Sequence, residues 1–157
     1  MSVLVFADSY NGKIAKSAFE AVYYGSKIAQ ENGTELTVVN AGSATNDELA
    51  QLGKFGANKV LHFTTNDKLE DRQLSRLVKQ AAEKTNAKFI IFALDPTGKA
   101  IAPRVSAALK AGYVAGAVAL PTQENGKTIV KKAVFSGKAF GYVAINTDIK
   151  IIAVLPN

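Results

Sequence analysis

Short apolar runs alternate with helix-length segments from the start of the chain to Gly112. The runs are rich in β-branched and aromatic residues and span residues 3–7, 36–40, 59–63 and 89–94. Strands that are apolar on both faces and separated by helices are typical of βαβ units, in which helices cover both sides of a parallel sheet. The pattern therefore predicts an α/β fold, a Rossmann-like three-layer sandwich with a parallel core.

The predicted helices have an apolar face and recognisable first turns. In the first helix, small and apolar residues recur at helical spacing and form one stripe: Ala18, Ala21, Val22, Gly25, Ile28 and Ala29. Ser17 with Glu20, and Thr45 with Glu48, have the spacing of a capping box at a helix start. The fourth helix is expected over about residues 102–110, where Pro103 fits the first turn.

After Gly112 the strands are separated by turns and no longer by helices. Asn125-Gly126 and the segment 146–148 supply the turns, which predicts an antiparallel meander over residues 128–155. Right-handed crossovers give the parallel strands the order 3-2-1-4-5, so these antiparallel strands extend one end of the sheet. The adjacent Lys131 and Lys132 point to opposite faces of a strand and are expected to protect a sheet edge.

Composition and charge limit the function classes. The 157 residues suit a single domain over 1–157, and no apolar run approaches the ~20 residues of a membrane span, so membrane insertion is not expected. The net charge is +6, but its 19 Lys and Arg are scattered without a dense basic run or a recognition-helix motif, so we expect no nucleic-acid partner. Cysteine is absent and no secretory signal is visible, which fits a cytoplasmic protein.

A ligand crevice is expected at the switch point, where the strand order reverses between the first and fourth parallel strands. Its lips are the segments "DSYNG", residues 8–12, and "DPTGK", residues 95–99. The crevice candidates are Thr97, Gly98 and Lys99, because glycine permits close approach of the backbone and lysine offers charge to an anion such as a nucleotide or a flavin. A plain turn followed by a helix start explains the same residues equally well. Neither G-x-G-x-x-G nor the P-loop motif is present.

Few residues are candidates for catalysis. His62 is the only histidine and lies inside a predicted strand, so a site with two His ligands is impossible, and we expect neither a metal nor a catalytic role for it. Asp8 and Asp95 are the one carboxylate pair that would serve acid–base chemistry across the crevice. The residues alone thus give only weak candidates for a catalytic site.

Two blocks of sequence resemble one known family. The first has Gly-Lys, a short spacer, Pro-Arg-Val and an alanine-rich helix, with these matching residues: Gly98, Lys99, Pro103, Arg104, Val105, Ala107, Ala108 and Leu109. The second is matched approximately by Phe135, Ser136, Gly137 and Ala139. With "SVLVFAD" and "GSKIAQENGTELTVVNAG" the chain resembles the N-terminal domain of the electron transfer flavoprotein alpha subunit over residues 2–155. It departs from the family at "VAGAV", where an aspartate is usual, and at "SGKA", where Ala-Gly-Asn-Ala is common.

The resemblance implies a fold akin to the adenine nucleotide alpha hydrolases and a heterodimer with an electron transfer flavoprotein beta subunit. It also implies FAD that carries electrons from acyl-CoA or other dehydrogenases, as in fatty acid beta-oxidation, to a quinone-linked acceptor of the respiratory chain. In the family most flavin contacts belong to a C-terminal FAD-binding domain that this chain lacks, so no tightly bound FAD is expected on this chain alone. Arg104 and Gly137 are expected to have an interface or structural role. Because the family is one of electron carriers, the resemblance implies that the chain is not an enzyme and has no catalytic residues.

Two other functions stay open at this point. A stand-alone nucleotide-binding protein of the universal stress type shares the sheet pattern, although its late glycine-rich phosphate loop is missing after the fourth strand. A small hydrolase or lyase would use Asp8 or Asp95. Flavin content separates the electron-transfer function from both.

Overall fold

The computed structural model describes residues 2–157. Its strands, in chain order, are β1 (Ser2–Phe6), β2 (Ser9–Tyr10), β3 (Lys13–Ile14), β4 (Leu36–Gly42), β5 (Lys59–Thr64), β6 (Ala87–Ala93), β7 (Gly112–Ala117), β8 (Thr122–Glu124), β9 (Lys127–Val134), β10 (Ala139–Ile145) and β11 (Lys150–Val154). Its helices are α1 (Lys16–Glu31), α2 (Asn46–Ala50), α3 (Asp71–Thr85) and α4 (Pro96–Leu109), with a 3-10 helix over Gln51–Phe55. None of these helices is long and apolar enough to cross a membrane.

One mostly parallel sheet forms the middle layer. Its strands follow the order β10-β9-β7-β11-β6-β1-β4-β5, with β8 beside β9, while β2 and β3 form a separate small hairpin. The predicted α/β class is thus confirmed. The predicted succession 3-2-1-4-5 is kept as β5-β4-β1-β6-β7, but it is interrupted by β11, which lies between β6 and β7.

The last strand corrects the predicted antiparallel tail. β11 pairs parallel with both β6 and β7, whereas an antiparallel strand was expected up to residue 155. Ile151, Ile152 and Ala153 are fully buried, and a run that is apolar on both faces suits the centre of a parallel sheet. The expected antiparallel pairing holds for β8, β9 and β10.

Helices cover both faces of the parallel strands. Val3 and Val5 of β1 point into the core under α1, and Leu4 and Phe6 point into the core under α3 and α4. All six residues of the predicted α1 stripe are buried. Gly25 brings α1 close to the sheet, because a Cβ at this position would lie only 2.5 Å from Cγ2 of Val5.

Two helix starts differ from the predicted ones. α1 begins at Lys16 without a side-chain cap, because the Ser17 hydroxyl donates instead to Asp95 at 2.9 Å. α4 begins at Pro96 and not near residue 102, so Pro103 lies inside the helix. The start at Thr45 is confirmed, since its Oγ1 accepts the Glu48 N–H at 3.2 Å.

The β9–β10 hairpin, residues 127–145, extends the sheet beyond its helix-covered part; we call it the arm. Lys131 and Lys132 were expected on an edge strand, but β9 lies between β10 on one side and β7 and β8 on the other. The edge strand is β10, which carries no charged residue. The two lysines therefore flank the sheet edge and are not part of it.

Candidate functional site

A polar crevice lies at the carboxyl ends of the parallel strands, at the switch point beside β1. Its volume is about 420 Å³, within the range of about 300–1,000 Å³ that is usual for small-molecule sites. The β2–β3 hairpin, the loops after β4 and β5, and the first turns of α3 and α4 supply its lining. The structure thus brings the two predicted lips, residues 8–12 and 95–99, to one crevice.

Asp8 is a carboxyl group of the crevice whose pKa is shifted by its surroundings. One oxygen accepts the Ser9 N–H at 2.9 Å. Burial raises the pKa of Asp8 above its ordinary value, and hydrogen bonds from Thr97, Ser9 and Tyr10 only partly oppose this effect. The negative charge of Asp95 nearby raises the pKa of Asp8 further.

Asp95 has a structural task at the start of α4. Its Oδ1 accepts the Gly98 N–H at 2.8 Å, and its Oδ2 accepts the Ser17 hydroxyl at 2.9 Å. The segment "DPTGK" is therefore an N-cap and a first helical turn, which agrees with the second explanation offered by the sequence, a turn followed by a helix start. Both Asp95 oxygens are thus engaged in holding α1 and α4, which disfavours Asp95 as an acid–base partner of Asp8.

The three crevice candidates have different environments. Thr97 lines the crevice, and its Oγ1 lies 3.4 Å from the Tyr10 hydroxyl. Gly98 is buried against β6, and a Cβ at this position would lie 1.9 Å from the Ala93 carbonyl oxygen, so helix packing alone requires glycine here. Lys99 is exposed and lies outside the crevice lining. Their role towards a cofactor stays a prediction.

The β2–β3 hairpin borders the crevice and is held by a buried carboxylate that the sequence analysis missed. Glu48 is 8% exposed; its Oε1 accepts the Ile14 N–H at 2.9 Å, and its Oε2 lies 3.7 Å from the Lys13 ammonium. Asn11 and Gly12 form the turn with φ angles of 49° and 79°. An Asn-Gly pair between two short strands is a strong hairpin signal, and it would have located this element.

The charge of the crevice does not suit a phosphate. Its lining includes the carboxylates of Asp8, Asp67 and Asp71 and one cation, Lys68. The Gly98 N–H at the start of α4 already donates to the Asp95 side chain, and the next N–H donates to the Asp95 carbonyl at 2.9 Å. These two amides at the start of α4 are therefore not free to bind an anion. The crevice residues do not fit the pyrophosphate of FAD or the phosphates of ATP.

His62 belongs to a polar network behind the crevice. The Asn40 amide nitrogen donates to the Ala7 carbonyl at 2.8 Å and lies 3.1 Å from the Ser9 hydroxyl. Its amide oxygen faces His62 Nδ1 at 2.9 Å, so the proton of the neutral ring is assigned to Nδ1. His62 does not line the crevice, and within residues 2–157 no cluster of three metal-ligating side chains exists. The network ties the ends of β1, β4 and β5 together.

Arg104 and Gly137 both lie outside the crevice lining. Arg104 is exposed on α4, and its guanidinium has no hydrogen bond or ion pair with any residue of 2–157, so it does not stabilise this part of the chain through such contacts. Gly137 lies in the turn of the arm with φ +82° and has open space around it. Its N–H donates to the Val134 carbonyl at 3.1 Å, which closes the turn.

Comparisons with known proteins give the chain a family context. The electron transfer flavoprotein domain family matches residues 3–157. The electron transfer flavoprotein subunit alpha of Bacillus subtilis (strain 168) is 29% identical over 160 residues, which is 99% of this chain and 47% of that protein. The acryloyl-CoA reductase electron transfer subunit beta of Anaerotignum propionicum is 25% identical over 130 residues, 78% of this chain and 34% of that protein. This chain spans less than half the length of these two relatives.

Among solved structures, the universal stress protein from Archaeoglobus fulgidus aligns with 66% of this chain and 87% of its own chain. The TM-score is 0.46 and the sequence identity is 14%. A likeness at this level gives no support to a nucleotide-binding function.

Proposed function

This chain belongs to the electron transfer flavoprotein family, and we propose that it forms the N-terminal domain of an alpha-type subunit. In this proposal it is the scaffold and partner-binding part of a heterodimeric electron carrier that contains FAD. The observation that carries the proposal is the family match over residues 3–157, because it includes both the helix-covered sheet and the arm.

The crevice supports a scaffold role over a cofactor-binding one. Its three carboxylates oppose a phosphate, and both oxygens of Asp95 are used to hold α1 and α4 in place. When bound, FAD accepts and passes on electrons; the residues described above do not supply its pyrophosphate site. We therefore propose that FAD binds in the complex through parts outside this chain, and that no residue of this chain is catalytic.

The donors and the acceptor are part of the same proposal. Acyl-CoA or other dehydrogenases would supply the electrons, as in fatty acid beta-oxidation, and a quinone-linked acceptor of the respiratory chain would receive them. The relative named as an acryloyl-CoA reductase electron transfer subunit supports a donor or acceptor of the acyl-CoA class. The proposed compartment is the cytoplasm, and the proposed partner is an electron transfer flavoprotein beta subunit.

The two other functions are not favoured by the geometry. Stress-type nucleotide binding needs phosphate contacts, whereas the crevice lining has one lysine against three aspartates. Hydrolysis or lyase chemistry by Asp8 and Asp95 needs a free pair of carboxylates, whereas Asp95 caps α4 and accepts from Ser17.

Purification with and without the partner tests the proposed function. The chain is expressed alone and together with the beta subunit of the organism that encodes it, and each preparation is examined by size-exclusion chromatography and titrated with FAD and with ATP. We expect a one-to-one complex on co-expression and no binding of either ligand to the chain alone at micromolar concentration. Micromolar ATP binding without complex formation would favour the stress-type function, and micromolar FAD binding by the chain alone would place the flavin site here.

A further inference from the structure

The arm carries three exposed aromatic side chains. Phe135 at its tip is 79% exposed, and Phe140 and Tyr142 on β10 are 56% and 70% exposed. Phe140 and Tyr142 lie two residues apart in one strand, so their side chains project from the same face of the arm. Exposed aromatic residues grouped in this way mark an interaction surface, whereas single exposed apolar residues do not.

The backbone of the arm is also open to a partner. Among residues 2–157, β10 pairs with β9 alone and ends the sheet, so its other edge carries N–H and C=O groups that no strand of this part of the chain pairs with. Proteins normally protect such an edge with charged residues or proline. β10 has the sequence AFGYVAI and contains neither. Its outer edge is therefore suited to pairing with an added strand.

The charge around this edge indicates what kind of strand would bind. Residues 122–145 contain Lys127, Lys131, Lys132 and Lys138 against Glu124, a net charge of +3. Within residues 2–157 none of these four lysines forms an ion pair. The Lys131 ammonium lies 4.4 Å from the centre of the Phe140 ring, so positive charge and aromatic surface share one face. Two copies of the arm would bring equal charges together, which opposes self-pairing.

We propose that the arm is the docking surface for one extended strand of a different polypeptide, added to the free edge of β10. The added strand carries apolar side chains that cover Phe140 and Tyr142, and acidic side chains that meet the unpaired lysines. This inference rests on the proposed function and names the surface through which the chain holds the beta subunit. Main-chain hydrogen bonds along β10 give affinity, and the lysines and aromatic rings give specificity.

Binding of arm variants to the beta subunit tests this assignment. The double variant Phe140→Ser/Tyr142→Ser removes the aromatic face, and Lys131→Glu/Lys138→Glu reverses two charges. The matched controls are Tyr23→Ser, an exposed tyrosine of α1, and Arg76→Glu, an exposed cation of α3. Dissociation constants are measured by isothermal titration calorimetry, and thermal unfolding followed by circular dichroism shows whether each variant is folded. Because the changed side chains are on the protein surface, all four variants are expected to fold.

We expect each arm variant to bind at least about tenfold more weakly, because central aromatic anchors dominate interface energies, and each control to bind like the wild type. Folded arm variants with wild-type affinity would overturn the docking surface while leaving the proposed function in place. A wild-type chain that forms no complex with the beta subunit would overturn both. Self-association through the arm, seen as a dimer that the arm variants abolish, would show that the occupant is a second copy and would also overturn the proposal.

Discussion

The helix-covered sheet and the arm use similar side chains and bury them to opposite extents. Phe92 of β6 is fully buried in the core under α3 and α4, whereas Phe140 of β10 is 56% exposed. Both strands are apolar and uncharged apart from one lysine in β6. The two strands differ in their connections: β6 leads into a helix that returns over the sheet, and β10 leads only into a turn. An apolar sequence therefore favours a strand in both regions. Whether a helix covers that strand depends on the segment that follows it in the chain.

The most damaging change expected in the covered part is Gly98→Ala. The new Cβ would lie 1.9 Å from the Ala93 carbonyl oxygen, and neither this backbone atom nor α4 can move without disturbing the Asp95 cap. We expect a loss of at least about 3 kcal/mol in the free energy of unfolding, or no folded protein. Urea denaturation measures it. Gly53→Ala is the control, because no atom lies within 4 Å of the point that its new Cβ would occupy, and a loss of similar size there would contradict the packing explanation.

A direct test of the comparison removes one phenylalanine from each region. Phe92→Ala leaves a cavity in the core and should cost about 3–5 kcal/mol of unfolding free energy. Phe140→Ala removes a ring that is mostly in water and should change stability by no more than about 0.5 kcal/mol. Equal losses in the two variants, measured by chemical denaturation, would mean that the isolated chain already covers its arm.

The crevice hairpin should respond to Glu48→Ala by an intermediate amount. Removing the carboxylate leaves the Ile14 N–H without its acceptor and should cost about 1–3 kcal/mol. Amide hydrogen exchange should show faster exchange at Ile14, while amides of the arm keep their rates. Glu83→Ala on the exposed side of α3 serves as the control. Unchanged exchange at Ile14 would show that the hairpin is held by other contacts.

The smallest effect is a pH dependence from Asp8. Its pKa in the folded chain is raised by burial above the ordinary value of 3.8, so ionisation opposes folding. The stability of the wild type relative to Asp8→Asn is therefore highest below pH 3.8 and falls as the pH rises through the folded pKa. Denaturation curves at several pH values measure this difference.

Asp148→Asn is the control, because its effect on stability should change with pH in the opposite direction. A hydrogen bond from Lys88 lowers the pKa of Asp148, so its contribution is present above pH 3.8 and is lost as the pH falls through the folded pKa. A wild-type advantage over Asp8→Asn that grows with pH would contradict the assignment of burial as the main effect on Asp8.

The sequence predicted the helix-covered part well because local patterns determine it. The α1 stripe, the Thr45 start and the order of the first five parallel strands follow from spacing and from crossover handedness. The position of β11 depends on its pairing with β6 and β7, which are distant in the sequence. A short apolar run does not specify which strands it will pair with. The α4 start was missed because Pro96 and Gly98 look like turn residues, while Asp95 makes them a capped helical turn.

The crevice was located from the sequence, but its chemistry was not. Ligand crevices form where the strand order reverses, and this rule located the two crevice lips because it depends only on the order of the strands. The acidic lining combines Asp67 and Asp71, which come after β5, with Asp8 after β1, and only the fold brings these segments together. Glu48 looked like a helix-start residue, and its contact with the Ile14 N–H depends on a hairpin that the pattern of longer strands did not include.

The position of β11 has a consequence for how the chain acquires its structure during synthesis. β6 and β7 are separated by a gap that only residues 150–154 fill, so the sheet is incomplete until these residues have left the ribosome. Until then the facing edges of β6 and β7 are unpaired. Contacts between residues so distant in sequence slow folding and prolong exposure of apolar edges. The nascent chain thus has a period in which its future core is open to chaperones.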